Sequence, residues 1–437
     1  MTYMTNKTIT DPCDLSFLNV FEELESSVRT YCRKFPVKFT KARNATLWDD
    51  TGKSYLDFLS CAGALNYGHN HPVLKSVLID YLQSDGVTTS LDMHTSAKAD
   101  FLETFNRQIL RPRGLKYKIQ FTGPTGTNAI EAALKVARKA TGRSNVVAFT
   151  NGFHGMTLGS LALTANGEDR KSGGTGLSDT VRMPYYDYFG EGVDTVTYLD
   201  KIISDPAGGI DKPAAIVLET VQGEGGLNVA SRRWLRDLSN FAKRENILLI
   251  VDEVQTGCGR TGSFFSFERA SLEPDLVCLS KSIGGFGLPM AIVLIKSDLD
   301  TQNPGEHSGT FRGNNLAFIC ARHALDFWND AAFVNHLENN IQILKDKLDH
   351  IARTHAQHGL LVKGLGLMKG VDVHDPLLAR RIQNDMFAQG VILETCGPKN
   401  QIIKIMPPLT IEDDDLVRGL DILEQVITAQ LRDMEKG

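Results

Sequence analysis

The sequence predicts an α/β fold built on a mostly parallel central sheet, with a smaller α+β domain assembled from both ends of the chain. Three observations carry this. Between Lys118 and Lys296 short β-rich runs alternate with helical patterns, as repeated βα units require. Several of those runs are apolar on consecutive residues, which suits strands covered by helices on both faces. The chain has 437 residues, 42% hydrophobic and 23% charged. At the usual size of a domain that length allows roughly two to three, each with a core of its own.

Taken in order, the chain begins with a helical segment from Asp14 to about Lys34, then turns as a hairpin around Asp49-Asp50-Thr51-Gly52-Lys53. The run Ile119-Gln120-Phe121 reads as a strand. It precedes a helix with Ile130, Ala133, Leu134 and Ala137 at helical spacing. Further strands are expected at Val146 to Thr150, Ala215 to Val221, Ile247 to Val254, Leu276 to Leu279 and Ala291 to Ile295. Helices from Asn314 to His355 lead into a mixed tail that passes Pro407-Pro408 and ends in a helix near Asp413 to Met434. This places an N-terminal segment of the small domain at 1–70, a large domain at 71–329 and the C-terminal small domain at 330–437.

Charge and patterning exclude several functions. Forty-seven Lys plus Arg against 52 Asp plus Glu give a formal charge of -5, without the basic excess that nucleic acids or anionic membranes attract. No apolar run approaches the ~20 residues of a spanning helix. The polar start, Met1 to Asp14, does not read as a secretory signal, and seven scattered cysteines suggest neither a disulfide framework nor a zinc site. A cytoplasmic protein is expected. Thr51-Gly52-Lys53-Ser54 ends like a phosphate-binding loop but has Leu47 where the first glycine belongs, so it reads as a turn. Gly364-Leu365-Gly366-Leu367-Met368-Lys369-Gly370 has the wrong spacing for a dinucleotide site. His69 and His71, beside Pro72, suit a loop better than a metal-binding helix face.

The chemistry concentrates elsewhere. Val251-Asp252-Glu253-Val254-Gln255 and Ser280-Lys281-Ser282 each close an apolar strand, so Asp252 and Lys281 project where open α/β sheets place ligands. Gly123-Pro124-Thr125-Gly126-Thr127-Asn128 lies where a strand hands over to a helix, and free amides at a helix N-terminus attract phosphate. A lysine, a carboxylate and a phosphate cradle point to pyridoxal phosphate. A desolvated lysine amine condenses with an aldehyde, and an aspartate keeps a pyridine nitrogen protonated.

Ordered motifs extend this reading. Tyr55-Leu56-Asp57-Phe58, Gly68-His69-Asn70-His71-Pro72, Phe153-His154-Gly155, Val221-Gln222-Gly223-Glu224-Gly225-Gly226, the run Asp252 to Gly262, Ser280-Lys281 and Gly309-Thr310-Phe311-Arg312-Gly313-Asn314 occur in that order. Together they resemble the class III, or ω-amino acid, aminotransferases over nearly the whole chain. Narrower runs are Phe21 to Ser26, Ala62 to His69, Thr122 to Asn128, Thr150 to Thr157 and Gly305 to Arg312. These resemble the branch of that family that exchanges the 4-amino group of L-2,4-diaminobutyrate with 2-oxoglutarate.

The resemblance implies the fold type I of pyridoxal-phosphate transferases and assigns roles by position. Lys281 would hold the cofactor covalently and then move the proton, and Asp252 would face the pyridine nitrogen. Gln255 would reach the phenolic oxygen, Val254 and Phe153 would flank the ring, and His154 would belong to the same cofactor site. Gly126 and Thr127 would bind the phosphate, and Thr310 would reach the phosphate of a neighbouring subunit, implying a homodimer with shared sites. Whether dimers pair further stays open. Glu224, Lys404, Ala62, Leu65 and Arg312 are the candidates for substrate contact.

The main departure is Lys404, which stands where many relatives carry an arginine and lacks that residue's planar two-pronged grip on a carboxylate. The expected reaction yields aspartate 4-semialdehyde and glutamate, reversibly, with ectoine synthesis as the expected pathway. The rivals are an aminotransferase for ornithine, 4-aminobutyrate or a polyamine, diaminobutyrate supply for siderophores, a mutase or racemase, and a noncatalytic scaffold.

Overall fold

The computed structural model describes residues 18–190 and 192–436. Its centre is a seven-stranded sheet in the spatial order Tyr117–Phe121, Ile292–Lys296, Leu276–Leu279, Leu248–Asp252, Ala215–Leu218, Val146–Phe149, Thr180–Met183. The five strands from Leu276–Leu279 to Thr180–Met183 pair in parallel, while Ile292–Lys296 runs antiparallel to both of its neighbours. The reason is the connection that precedes it. Between Leu279 and Ile292 the chain makes a short 3-10 turn, Lys281–Gly284, and no crossover helix, so it returns beside the strand it has just left.

Both faces of this sheet are apolar, with the two-residue period of a strand. Val147, Phe149, Ile216, Leu218, Leu249, Val251, Val277 and Leu279 enter one core, and Val146, Ala148, Ala215, Val217, Ile250, Leu276 and Cys278 the other. The helix Gly126–Thr141 covers the second face with Ala129, Ile130, Ala133, Leu134 and Ala137. The alternation therefore carries Asp252 to the side of Ile250, toward that helix's N-terminal end.

Several sequence expectations shift. The run expected as one strand from Ala215 to Val221 stops at Leu218. Val221–Gln222 instead pairs with Asn228–Val229 in a separate hairpin, because Tyr185 Oη donates to Glu219 O at 2.6 Å and Ala230 N to Thr220 O at 3.2 Å. Thr180–Met183, too polar to stand out, forms the edge strand. The N-terminal helix is two short helices, Leu18–Leu24 and Tyr31–Lys34, and the part expected from Asp14 lies partly outside the described residues. Thr51-Gly52-Lys53 is the turn between strands Thr46–Asp49 and Ser54–Asp57, and the glycine-rich 364–370 segment is a hairpin.

A second core joins residues distant in sequence. A four-stranded sheet orders Leu361–Leu365, Met368–Asp372, Ile402–Ile405 and Glu394–Cys396, packed with helices Ala331–Thr354, Pro376–Ala388 and Asp413–Lys436. Ala45, Leu56, Phe58 and Tyr67 from the N-terminal part enter the same core, and Val391–Ile392 pairs in parallel with Ser54–Asp57.

Arg260 ties the two bodies together. It is fully buried, donating to Leu367 O at 3.1 Å, to Pro407 O at 2.5 Å and to Asn66 Oδ1 at 2.5 Å. Replacing it by Met would orphan three buried acceptors. Arg260→Met is expected to lower unfolding stability by about 3 kcal/mol, read as a shift of the urea midpoint; a change within ~0.5 kcal/mol would remove Arg260 from this role.

Candidate active site

Parallel strands ending side by side bring the chemistry to one edge. Asp252 is the last residue of its strand and sits opposite Cys278 of the neighbour, three residues before Lys281. Lys281 adopts a left-handed φ of 53°, unfavourable for a residue with a Cβ by ~1–2 kcal/mol. That conformation opens the 3-10 turn and puts Lys281 into the wall of a cavity of about 160 Å³. Gly126, Thr127, Phe153, His154, Asp252, Val254, Gln255 and Glu224 share that wall, joined by Gly155, Glu219 and Thr256.

Asp252 is held on both oxygens. Val254 N donates to Oδ1 at 2.9 Å, and His154 Nδ1 lies 2.8 Å from Oδ2. Both side chains are buried. Burial disfavours a charged imidazole, but Asp252 outweighs it and His154 is raised above its ordinary pKa of 6.5. These two contacts aim the carboxylate. Glu219, at the end of the next strand, accepts from Phe153 N at 3.0 Å, and burial pushes its carboxyl up to about 7.

At the other end lies the N-terminus of helix Gly126–Thr141. Its N-cap Thr125 accepts from Asn128 N, leaving the amides of Gly126 and Thr127 without intrahelical acceptors. A Cβ on Gly126 would lie 2.7 Å from Val254 Cγ1, so only glycine leaves this room. Thr127 Oγ1 is 2.6 Å from Thr157 Oγ1. Burial lowers the pKa of the Lys281 ammonium, with Glu224 pulling the other way. An amine biased toward neutrality, a fixed carboxylate and free helix amides, spaced around one cavity, fit a phosphorylated pyridine aldehyde.

A second, larger cavity of about 480 Å³ adjoins the first through Phe153 and Glu224, and includes Asn151, Asp169, Arg182 and Tyr188. Glu224 sits at the junction. Its Oε1 receives Lys404 Nζ at 2.7 Å and Gln255 Nε2 at 3.1 Å, and Gln255 also donates to Ala62 O at 3.1 Å. Gly223 permits this approach, since a Cβ there would meet Gln255 Oε1 at 1.8 Å. Burial alone would raise Glu224, but Lys404 and Lys281 hold it well below the ordinary carboxylate range.

The remaining expected contacts do not line either cavity. Lys404 is a strand residue with 0% exposure that meets the cavity-lining Glu224. Ala62 lies in a left-handed stretch, Ser60 to Gly63, and its carbonyl accepts from Gln255, while Leu65 packs toward Gly287. Neither lines the two cavities. Thr310 is exposed and also lies outside both cavities, and Arg312 is bound to Asp92 and to His307 O. Arg312 is thus occupied by its own chain's groups and does not face its own chain's cavity. Glu219 was missed by sequence reasoning, although it closes an apolar strand as Asp252 does. Glu394, which meets Lys404, carried no such signal.

Glu219 gives a pH dependence with a defined sign. Its folded-state value of about 7 lies above the ordinary 4.5, so the unfolded chain loses the proton first and stability falls as pH rises between those values. The penalty is complete above about pH 7. Glu219→Gln, which keeps an acceptor for Phe153 N, should gain on the order of 1 kcal/mol over the parent protein at pH 8 and little at pH 4.5, measured by urea unfolding without cofactor. An equal difference at both pH values would show that Glu219 is not the titrating group.

The family model for aminotransferase class-III matches residues 28–427. The chain is 53% identical to the diaminobutyrate–2-oxoglutarate transaminase of Bordetella parapertussis, covering 95% of this chain and 96% of that protein. It is 51% identical to the enzyme of the same name from Vibrio parahaemolyticus, over 94% and 97% of the two chains. The ornithine aminotransferase of Toxoplasma gondii superposes with a TM-score of 0.84 over 96% of this chain and 95% of its own, at 24% identity, showing the shared fold. With a family match across both cores and the strand-end lysine and carboxylate between them, the chain belongs to the class-III aminotransferases.

Proposed function

We propose that this aminotransferase moves the 4-amino group of L-2,4-diaminobutyrate to 2-oxoglutarate, giving L-aspartate 4-semialdehyde and L-glutamate. The observation that carries the reaction class is Lys281, held in a left-handed turn in the wall of the cavity that Asp252 also lines. Relatives named for this substrate pair, about half identical over nearly the whole chain, support the substrates.

The cofactor is pyridoxal 5'-phosphate. When bound, it supplies an aldehyde that condenses with amines and a protonated pyridine ring that draws electrons from the substrate carbon. Lys281 would anchor the aldehyde and, once freed, its amine would carry the proton from the donor's C4. Asp252, clamped by His154 and Val254 N, would hold the pyridine proton. The Gly126 and Thr127 amides would take the phosphate at the helix N-terminus. Val254 and Phe153 would enclose the ring, and Gln255 would reach its phenolic oxygen by giving up a bond to Ala62 O or Glu224. Glu224 and Lys404 would sort the two substrates, the ion pair staying closed for the amine donor and opening for the keto acid's carboxylate.

The finer setting is also part of the reading. We assign the small domain to 1–70 and 330–437 and the large domain to 71–329. A homodimer is supported by the 3-10 turn Thr310–Gly313, where Phe311 is 67% exposed and Thr310 lies outside its own chain's cavity. A second subunit's phosphate would give Thr310 its role. A cytoplasmic place in ectoine synthesis completes the reading, with the substrate pair supporting the pathway. No described helix is long and apolar enough to cross a membrane.

The test is an anaerobic absorbance titration of the yellow protein with L-2,4-diaminobutyrate, and with ornithine and 4-aminobutyrate in parallel. Diaminobutyrate should bleach it to the pyridoxamine form at concentrations at least ~10-fold lower than the other amines, and 2-oxoglutarate should restore the colour. Bleaching by ornithine or 4-aminobutyrate alone would overturn the substrate assignment. Lys281→Ala should lose both the covalently held chromophore and turnover by a factor of at least ~10³.

A further inference from the structure

Lys404 is paired not once but twice. Its ammonium lies 2.7 Å from Glu224 Oε1 and 2.9 Å from Glu394 Oε1. The two carboxylates are held in different ways. Glu394 lies on strand Glu394–Cys396 directly opposite Lys404 on strand Ile402–Ile405, so the sheet itself fixes this pair. Its side chain is 3% exposed, and its other oxygen accepts from Tyr31 Oη at 3.0 Å. Glu224 stands in the turn of the hairpin Val221–Gln222 and Asn228–Val229, with 34% of its side chain exposed, at the junction of the two cavities. One carboxylate is built into the sheet and the other faces the space where a substrate must enter.

We infer that Glu394 is the permanent counter-ion of Lys404 and a positioning residue that makes Glu224 exchangeable. A lysine with no exposed surface cannot be left alone, because breaking a buried pair strands an uncompensated charge. With Glu394 in place, Glu224 leaves a neutral pair behind rather than a bare buried cation. The incoming carboxylate of the keto acid then takes the position Glu224 gave up, and the total charge around Lys404 is restored. Arginine at this position would grip a carboxylate in two places. Lysine is a compact point charge, which allows its ion pair with Glu394 to stay in place while the hydrogen bond it gives to Glu224 changes partner. The role applies to one half-reaction only, since the amine donor brings no carboxylate to the carbon that reacts.

This inference rests on the reading of the site as one that admits both an amine and a keto acid. Its test uses the cofactor-loaded Glu394→Gln protein, with the two half-reactions followed separately by absorbance. The pyridoxamine form should require a 2-oxoglutarate concentration for half-saturation at least ~10-fold above the parent protein's, while half-saturation by diaminobutyrate moves by less than ~3-fold. Calorimetric binding of glutarate, a diacid that does not react, should weaken in the same ratio as 2-oxoglutarate. Glu394→Asp, which keeps the charge, should recover part of the loss and serves where the glutamine variant does not fold. Equal shifts in both half-reactions, or none in either, would overturn the role for Glu394. If diaminobutyrate fails to bleach the parent protein, the substrate assignment falls, and the 2-oxoglutarate and glutarate measurements still decide the question of Glu394.

Discussion

Burying charge where two cores meet is the constraint on which this site depends. Asp252, Glu219, Glu224, Glu394 and Lys404 all sit at or beside the seam between the large sheet and the small one, and an unpaired charge there would cost several kcal/mol. All but Glu219 find a charged or ionisable partner from another part of the chain. Asp252 takes His154, Glu224 and Glu394 take Lys404, and Glu219 is pushed toward its neutral form. The pairing orients groups as well as neutralising them, since each partner fixes which atom faces the cavity.

Backbone strain performs a second positioning task. Lys281 takes a left-handed conformation at the head of its turn, and Ser60, Cys61 and Ala62 take the same conformation in succession on the facing segment. Such residues persist only where their surroundings over-determine them. Here Ser282 Oγ donates to Gly63 O at 2.7 Å and is itself the acceptor for Asn66 N at 3.2 Å, so the lysine turn and the left-handed segment lock each other. The strain at Lys281 is thus held by hydrogen bonds from the residue beside it.

In the proposed reaction, chemistry and selection fall on different parts of the fold. The groups that would hold the cofactor stand on strand ends and a helix N-terminus, elements anchored by apolar packing on both faces of the sheet. Glu224, the group proposed to distinguish the two substrates, stands on a hairpin turn between an inner and an outer cavity. A transamination needs both. The reacting atoms must stay aligned through two half-reactions, while the pocket must accept an amine first and a dicarboxylate second.

The sequence by itself determined the mostly parallel sheet, the turn at Thr51-Gly52-Lys53, and the strand-end placement of Asp252 and Lys281. These follow from local rules, the period of a strand and the position of the residue after its last apolar position. Ordered motifs also marked Gly126, Thr127, Phe153, His154, Val254 and Gln255, which the structure gathers around one cavity. Tertiary structure alone decided the rest. The antiparallel strand Ile292–Lys296 arises from a missing crossover helix, and Glu394 meets Lys404 because two short strands pair in one register. Ala62, Leu65 and Arg312 fall outside the cavities because hydrogen bonds and packing elsewhere claim them. Which carboxylate a buried lysine meets depends on register and packing between segments far apart in the chain, and no local pattern encodes that distance.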